Sequence, residues 1–234
     1  MQRELYSRTE DLVPDDRDAR IYYHFHKNRY SFLVKTLAPL LQTPVRVLDI
    51  GMSVLPRVLL RTFPGTTIAT LGFADARYWI NGEWEHYHCN LNDVDFNWTS
   101  VGKYHVVILA EVLEHLYVAP RITLRNLVSI LEPGGHLIIQ TPNAASLEKR
   151  VKLLFGVNPY EMIRDNPTNP GHYREYTVKE LRGLIEECRL HVVNCSVSNY
   201  FNPLSITARL YNIVCSLMPF TFRDGVTILC QKRG

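Results

Sequence analysis

The run Glu111-Val112-Leu113-Glu114-His115 carries two carboxylates and an imidazole within five residues, and His172 follows 57 residues later. Residues three and four apart share a face at the start of a helix, so Glu111, Glu114 and His115 can converge. Such groups take up and release protons, His115 and His172 as bases with Glu111 and Glu114 as the neighbouring acids. A second group is Tyr22-Tyr23-His24-Phe25-His26-Lys27-Asn28-Arg29-Tyr30, dense in aromatic rings and hydrogen-bond donors. A third pattern, His86-Tyr87-His88, sets two histidines on one face of a strand. No third ligand stands near them, so they are expected to be structural or solvated.

These residues are strung along an alternation of strands and helices. Short β-branched or apolar runs at Val45–Ile50, Thr66–Leu71, Trp84–Asn90, His105–Ala110, His136–Gln140, Leu190–Val197 and Val226–Gln231 read as strands. Helices are expected at Ile21–Leu41, Pro56–Phe63, Pro120–Leu131 and Thr177–Cys188, the last opened by a Thr177/Glu180 capping box. Glu132-Pro133-Gly134-Gly135 reads as a stop and turn. Alternation of this kind predicts an α/β, doubly wound, mostly parallel sheet, with ligands beyond the carboxyl ends of its strands. Residues 1–44 then form an N-terminal arm and capping helix ahead of a domain over 45–234. Insertions near 151–170 and 200–222 break the rhythm; the first is expected to shape an acceptor pocket. In the second, the apolar ITARLYNIVCSLMPF is expected to be core or dimer surface, with contact to a lipid-linked acceptor as the other option.

The strand Val47–Ile50 runs into Gly51 and an amphipathic segment, like a cofactor-binding turn, but Ser53 and Leu55 stand where further glycines are usual. Ser53 is small and can cap the following helix, whose first turn holds Pro56. Leu55 fills space that glycine would leave open between helix and strand.

Composition narrows the class. The chain has 234 residues, 46% hydrophobic and 21% charged, with a net charge of +3 and both signs interspersed. That is no nucleic-acid footprint, and DNA is not an expected partner. Five cysteines without a CxxC suggest neither zinc nor a disulfide framework. With a polar N-terminus and no apolar run long enough to span a bilayer, a reducing cytoplasm is the expected compartment.

Three stretches together, VLDIG (Val47–Gly51), YHVVILAEVLEHL (Tyr104–Leu116) and LEPGGHLIIQTPN (Leu131–Asn143), resemble class I S-adenosylmethionine-dependent methyltransferases. The resemblance spans about residues 30 to 200 and is nearest the ubiquinone-biosynthesis-like and sugar or natural-product O-methyltransferases. It implies a Rossmann-like sheet of seven strands with the last antiparallel, and S-adenosylmethionine as cofactor. It places the cofactor along Asp49 (ammonium), Gly51, Met52 and Ser53, then Asp75 (ribose), Asn90 and Leu91 (adenine), and Ala110 with Glu111 beneath it. Catalysis would fall to His115, His172 and Glu111. The acceptor, a small molecule or saccharide, would meet Tyr22, His26, Arg29, Tyr160 and Tyr173, in a chain that could form a homodimer. The Glu111, Glu114, His115 and His172 set also resembles small-RNA 2′-O-methyltransferases, which bind a divalent metal with two Glu and two His. The metal-free reading, in which these side chains pack the cofactor floor, is preferred because EVLEHL also resembles metal-independent relatives, and the mild charge without a basic patch argues against RNA. A non-catalytic binding or scaffold role is the remaining alternative, motivated by the lost glycines and Asn90.

Overall fold

The computed structural model describes residues 12, 17–42, 44–51, 53–72, 84–166, 170–200 and 206–233. Met52 and Asp75 lie outside them. Seven strands form one sheet: β1 (Arg46–Ile50), β2 (Thr67–Gly72), β3 (Glu85–His88), β4 (Tyr104–Ala110), β5 (Leu131–Pro142), β6 (Leu190–Ser198) and β7 (Gly225–Lys232). The strand order is β3-β2-β1-β4-β5-β7-β6. All neighbours are parallel except β7, which runs antiparallel to both β5 and β6. The expected doubly wound sheet with an antiparallel last strand is therefore present. The chain order reverses between β1 and β4, which makes their carboxyl ends the natural ligand crevice.

Each side of the sheet has its own apolar layer. Side chains alternate along a strand, so Val107 and Leu109 of β4 enter one layer and Val106 and Ile108 the other. The first layer is covered by α3 (Pro120–Ser129) and α5 (Val178–Glu187), through Leu124, Leu127, Leu181 and Ile185. The second is covered by α1 (Arg17–Leu37) and α2 (Leu55–Thr62). Tyr23, Tyr30, Leu33, Val34 and Leu37 give α1 one buried stripe, and Pro39 sits in the short 3-10 turn that follows it. In β1, Leu48 and Ile50 face the first layer and Val47 the second. By the same alternation Asp49 points towards α1.

Two expectations are corrected and a third is narrowed. Glu132-Pro133-Gly134-Gly135 is no turn that ends an element: β5 runs through it from Leu131. The segment is instead a bulge, because Tyr104 pairs with Leu131 while Val106 already pairs with His136. Gly135 permits it, since a Cβ there would lie 2.9 Å from the Glu132 carbonyl oxygen and 3.2 Å from that of His105. The insertion after β5 begins with a helix the sequence reading lacked, α4 (Leu147–Leu154). The apolar segment after residue 205 is indeed helical, α6 (Ile206–Leu217), but Leu210, Ile213, Val214 and Leu217 are exposed, so its apolar stripe is not core. The capping box of α5 forms as expected, with Thr177 and Glu180 each bonding the other's backbone amide.

Candidate active site

At the end of β1 the chain turns through Gly51, whose φ of +99° is glycine territory. A Cβ there would meet the Val112 side chain at 3.1 Å. The turn keeps the backbone close to whatever lies above it. Asp49 is 2% exposed, and its Oδ2 has no hydrogen-bond partner. Burial pushes its carboxyl up to about 8, against the pull of Arg29 and Ser53. The cap of α2 differs in detail from expectation. Val54 occupies the cap position, while Ser53 Oγ accepts the Leu55 amide at 3.1 Å. Leu55 is 1% exposed and shares an apolar cluster with Tyr23, Tyr30 and Leu33 of α1. The space a glycine would have left is used to seat the N-terminal helix.

That helix brings the second group of residues over β1. Arg29 is 2% exposed. Its Nε donates to His26 Nδ1 at 3.2 Å, and its guanidinium lies 4.9 Å from the Tyr30 ring centre. Burial opposes its charge, but Tyr30, Glu111, Tyr22 and Glu114 together outweigh that. His26 is held down to about 3 by burial and by Arg29, so its ring is neutral, as its acceptance of the Arg29 hydrogen bond requires. Tyr22 stacks at a tilt on His26, centroids 4.1 Å apart.

The end of β4 supplies the acids. After half-buried Ala110, Glu111 adopts φ 57°, a left-handed conformation costing roughly 1–3 kcal/mol in a non-glycine residue. Its amide donates to the Gln140 carbonyl oxygen at 2.7 Å, which secures the turn. Burial raises the Glu111 carboxyl, opposed by Arg29 and Lys149. Glu114 is fully buried and raised well above the ordinary range by burial and by Glu111. Its Oε2 accepts from Thr141 Oγ1 at 2.9 Å, while Oε1 has no partner. The Glu114 carbonyl oxygen accepts the amides of Tyr173 (2.8 Å) and Arg174 (3.2 Å), which ties the 171–174 segment to the 3-10 turn that follows β4.

That tie places His172 beside His115, ring centres 4.8 Å apart. His115 Nδ1 sits 2.9 Å from the Gly171 carbonyl oxygen. A carbonyl can only accept, so Nδ1 carries the proton and Nε2 keeps its lone pair. His172 Nδ1 sits 3.1 Å from Glu175 Oε1, with the same consequence. Burial, His115 and Lys149 hold His172 down to about 4, opposed by Glu161. The other Glu175 oxygen pairs with Lys149, whose Nζ also donates to the Asn143 carbonyl oxygen at 3.0 Å. Burial holds Lys149 down to about 8. Glu114, His115 and His172 each offer a ligand atom, all within 4.8 Å of one another.

The sequence reading named His172 but not Glu175 or Lys149. A carboxylate three residues after a histidine was a signal for the first; Lys149 lay on the unrecognised α4. An open cleft lined by Ala144, Leu153, Tyr160, His172, Tyr173 and Glu175 extends from the pair. Tyr160 donates to the Ala144 carbonyl oxygen at 2.9 Å, and Tyr173 packs edge-on against Tyr117. At the end of β3, Asn90 Oδ1 accepts the Asn92 amide at 3.0 Å beside buried Leu91. His86 is structural, its Nδ1 2.8 Å from Thr70 Oγ1.

A family model described as a methyltransferase domain matches residues 22–194. No curated protein sequence matches. Among solved structures, a SAM-dependent methyltransferase from Archaeoglobus fulgidus is similar at TM-score 0.63 and 15% identity, over 93% of this chain and 100% of that one. An S-adenosylmethionine-dependent methyltransferase from Clostridium acetobutylicum ATCC 824 aligns at TM-score 0.61 and 12% identity, over 93% and 98%. The N-methyltransferase NodS from Bradyrhizobium japonicum WM9, in complex with S-adenosyl-L-homocysteine, aligns at TM-score 0.56 and 15% identity, over 98% and 99%. With the family model spanning most of the chain, the chain belongs to the methyltransferase-domain family, on the fold of S-adenosylmethionine-dependent methyltransferases.

Proposed function

We propose that this methyltransferase, with S-adenosylmethionine as its methyl donor, acts on a hydroxyl oxygen of a small molecule or saccharide. The residues at the end of β1 fit that cofactor. Asp49 Oδ2 is a buried acceptor lacking a donor, suited to the methionine ammonium, and Gly51 leaves a cradle that a Cβ would fill. Ser53 and the Leu55 amide border the same turn, Arg29 is a buried cation for the carboxylate, and Ala110 with Glu111 forms the floor. When bound, the cofactor supplies a sulfonium-activated methyl group for in-line displacement, so the protein's task is chiefly positioning and exclusion of water.

The observation that carries the oxygen acceptor is the anchored His172. Glu175 accepts a hydrogen bond from its Nδ1–H, leaving Nε2 as a base beside the cleft, in a ring kept neutral at pH 7. As the acceptor oxygen is methylated, its proton passes to Nε2 and Glu175 offsets the new imidazolium charge. Tyr160 and Tyr173 line the cleft and are assigned to the acceptor. The test uses S-adenosylmethionine carrying a ¹³C methyl group, a panel of hydroxyl and amine acceptors, and NMR of the product. Methyl on oxygen, lost in His172→Gln, is the expected result; methyl on nitrogen overturns it.

One observation favours a second reading, metal-assisted transfer to a ribose hydroxyl of RNA. Glu114, His115 and His172 converge, with Glu114 Oε1 unpartnered, whereas Glu111 is not among the converging ligand atoms. One carboxylate and two imidazoles would suit Mn²⁺ or a similar ion. Bound metal measured by mass spectrometry before and after exhaustive chelation separates the two. Full activity without any ion removes the metal reading.

A further inference from the structure

The line from His172 does not end at Glu175. That carboxylate divides its two oxygens between two donors: Oε1 accepts from His172 Nδ1 at 3.1 Å, and Oε2 takes the ammonium of Lys149 on α4. Both partners of the ion pair are largely removed from water, the Lys149 side chain 16% exposed and that of Glu175 9%. A carboxylate so buried is costly unless a cation and hydrogen bonds satisfy it. Lys149 is itself fixed. Its Nζ donates to the Asn143 carbonyl oxygen at 3.0 Å and lies 5.9 Å from the Tyr160 ring centre. Asn143 directly follows β5 and is held from both ends. Its amide donates to the Asp224 carbonyl oxygen at 2.7 Å, and its Nδ2 to those of Thr221 and Arg223, each at 2.8 Å. The ammonium thus ties the carboxylate to the end of the sheet.

The consequence for His172 is its tautomer. In water a neutral histidine side chain prefers its proton on Nε2; an acceptor at Nδ1 reverses that and leaves Nε2 its lone pair. Glu161 is the other carboxylate near Nδ1. At 3.9 Å it is beyond hydrogen-bond reach, and it is engaged by Arg164 and by the His172 amide. The proton on Nδ1 therefore depends on Glu175, and Glu175 depends on Lys149 for its charge balance and for the second bond that sets its plane.

We propose that Lys149 is a positioning residue: through Glu175 it fixes the His172 proton on Nδ1 and so presents Nε2 to the cleft as an acceptor. The expected effect on rate rests on His172 as the base; the effect on the ring does not. The test is ¹⁵N NMR of the imidazole nitrogens in the full chain at neutral pH, for wild type, Lys149→Met and Lys149→Arg. Steady-state kinetics accompanies it, on the hydroxyl acceptor that the ¹³C-methyl assay identifies. Wild-type His172 should show a pyrrole-like Nδ1 and a pyridine-like Nε2. Lys149→Met should move that pattern towards a proton on Nε2 and lower kcat about ten- to hundredfold. KM should change little, because Tyr160 keeps its own bond to the Ala144 carbonyl oxygen. Lys149→Arg, which restores the cation, should recover both the pattern and kcat. Circular dichroism and melting temperature check the fold of each variant. A wild-type His172 protonated on Nε2 overturns the proposal without recourse to any variant. So does an unaltered tautomer in Lys149→Met, or an unaltered kcat there when His172→Gln is slow. A shifted tautomer with kcat unmoved in both Lys149→Met and His172→Gln supports the hold of Lys149 on the ring and overturns His172 as the base.

Discussion

The partnerless carboxyl of Asp49 makes a quantitative prediction about protons. In the free protein it titrates at about 8, so at pH 7 it is ~90% protonated. A cationic ammonium within a few ångströms lowers a carboxyl pKa by ~1–3 units. Taking ~2 units, the bound carboxyl titrates near ~6 and is ~10% protonated at pH 7, so ~0.8 proton leaves per cofactor bound. Apparent affinity should then rise ~fivefold per pH unit between pH 6 and 8. The stability of the free protein moves oppositely. The unfolded carboxyl ionises near 3.8 and the folded one near 8, so this group's stabilising contribution is complete below about 4 and is lost as pH rises to about 8. Binding restores it. Calorimetric titration of S-adenosylmethionine in phosphate and in Tris, whose ionisation enthalpies differ, reads the released proton directly from the difference in heat. Glu111 and Glu114 are also raised, so Asp49→Asn isolates the contribution. The variant should bind with flattened pH dependence and little proton release. Identical heats in both buffers, or proton release surviving in Asp49→Asn, would refute the assignment of Asp49 to the ammonium.

The remaining predictions concern single side chains. His172→Gln should lower kcat by ~10²–10⁴ with little change in cofactor affinity, and Glu175→Gln should cause a smaller loss in kcat; steady-state kinetics checks both. Leu55→Ala should cost ~2–5 kcal/mol of stability by opening a cavity under α1, and Leu55→Gly slightly more, with no gain in cofactor affinity; denaturant melts and calorimetry decide. Ser53→Asp should weaken cofactor binding by repelling its carboxylate, and unchanged affinity would place that carboxylate away from this turn. His26 titrates near 3 when folded and near 6.5 when unfolded, so it contributes stability above pH 6.5 that is lost as pH falls. Between pH 7 and 5 the wild type should lose ~2 kcal/mol more than His26→Gln, measured by denaturant melts at the two pH values.

How legible these features were follows the range of the interactions that make them. Local signals transferred well. The apolar runs became strands within a residue or two of their expected ends at β1, β4 and β7, and the Thr177/Glu180 capping box formed. The bulge in β5 was misread because a Pro-Gly-Gly signal is the same whether the chain leaves a sheet or kinks within it. Its decision rests on the His105 carbonyl of a neighbouring strand. The pairing of Glu175 with Lys149 needs α4 and the 171–175 segment at once, so no short window of sequence contains it, whereas His172 and Glu175 lie three residues apart. The exposed stripe of α6 is likewise invisible to periodicity, since i, i+3, i+4, i+7 describes a buried face and an exposed one equally well.

The charge balance of the site follows in part from Leu55. Leu55 is an anchor for α1, and α1 delivers Arg29 over β1. Three carboxyls, Asp49, Glu111 and Glu114, lie within the electrostatic reach of that one guanidinium, and all three are raised by burial. A crevice holding more acids than cations is costly in the free protein and favourable for a ligand that brings positive charge. S-adenosylmethionine brings an ammonium and a sulfonium against one carboxylate, whereas its demethylated product lacks the sulfonium. The same acids that strain the free site would therefore hold the donor more tightly than the product, and would favour product release after transfer. A product that binds more tightly than the donor at pH 8, where these carboxyls are more fully ionised, would contradict this account of why the altered turn is retained.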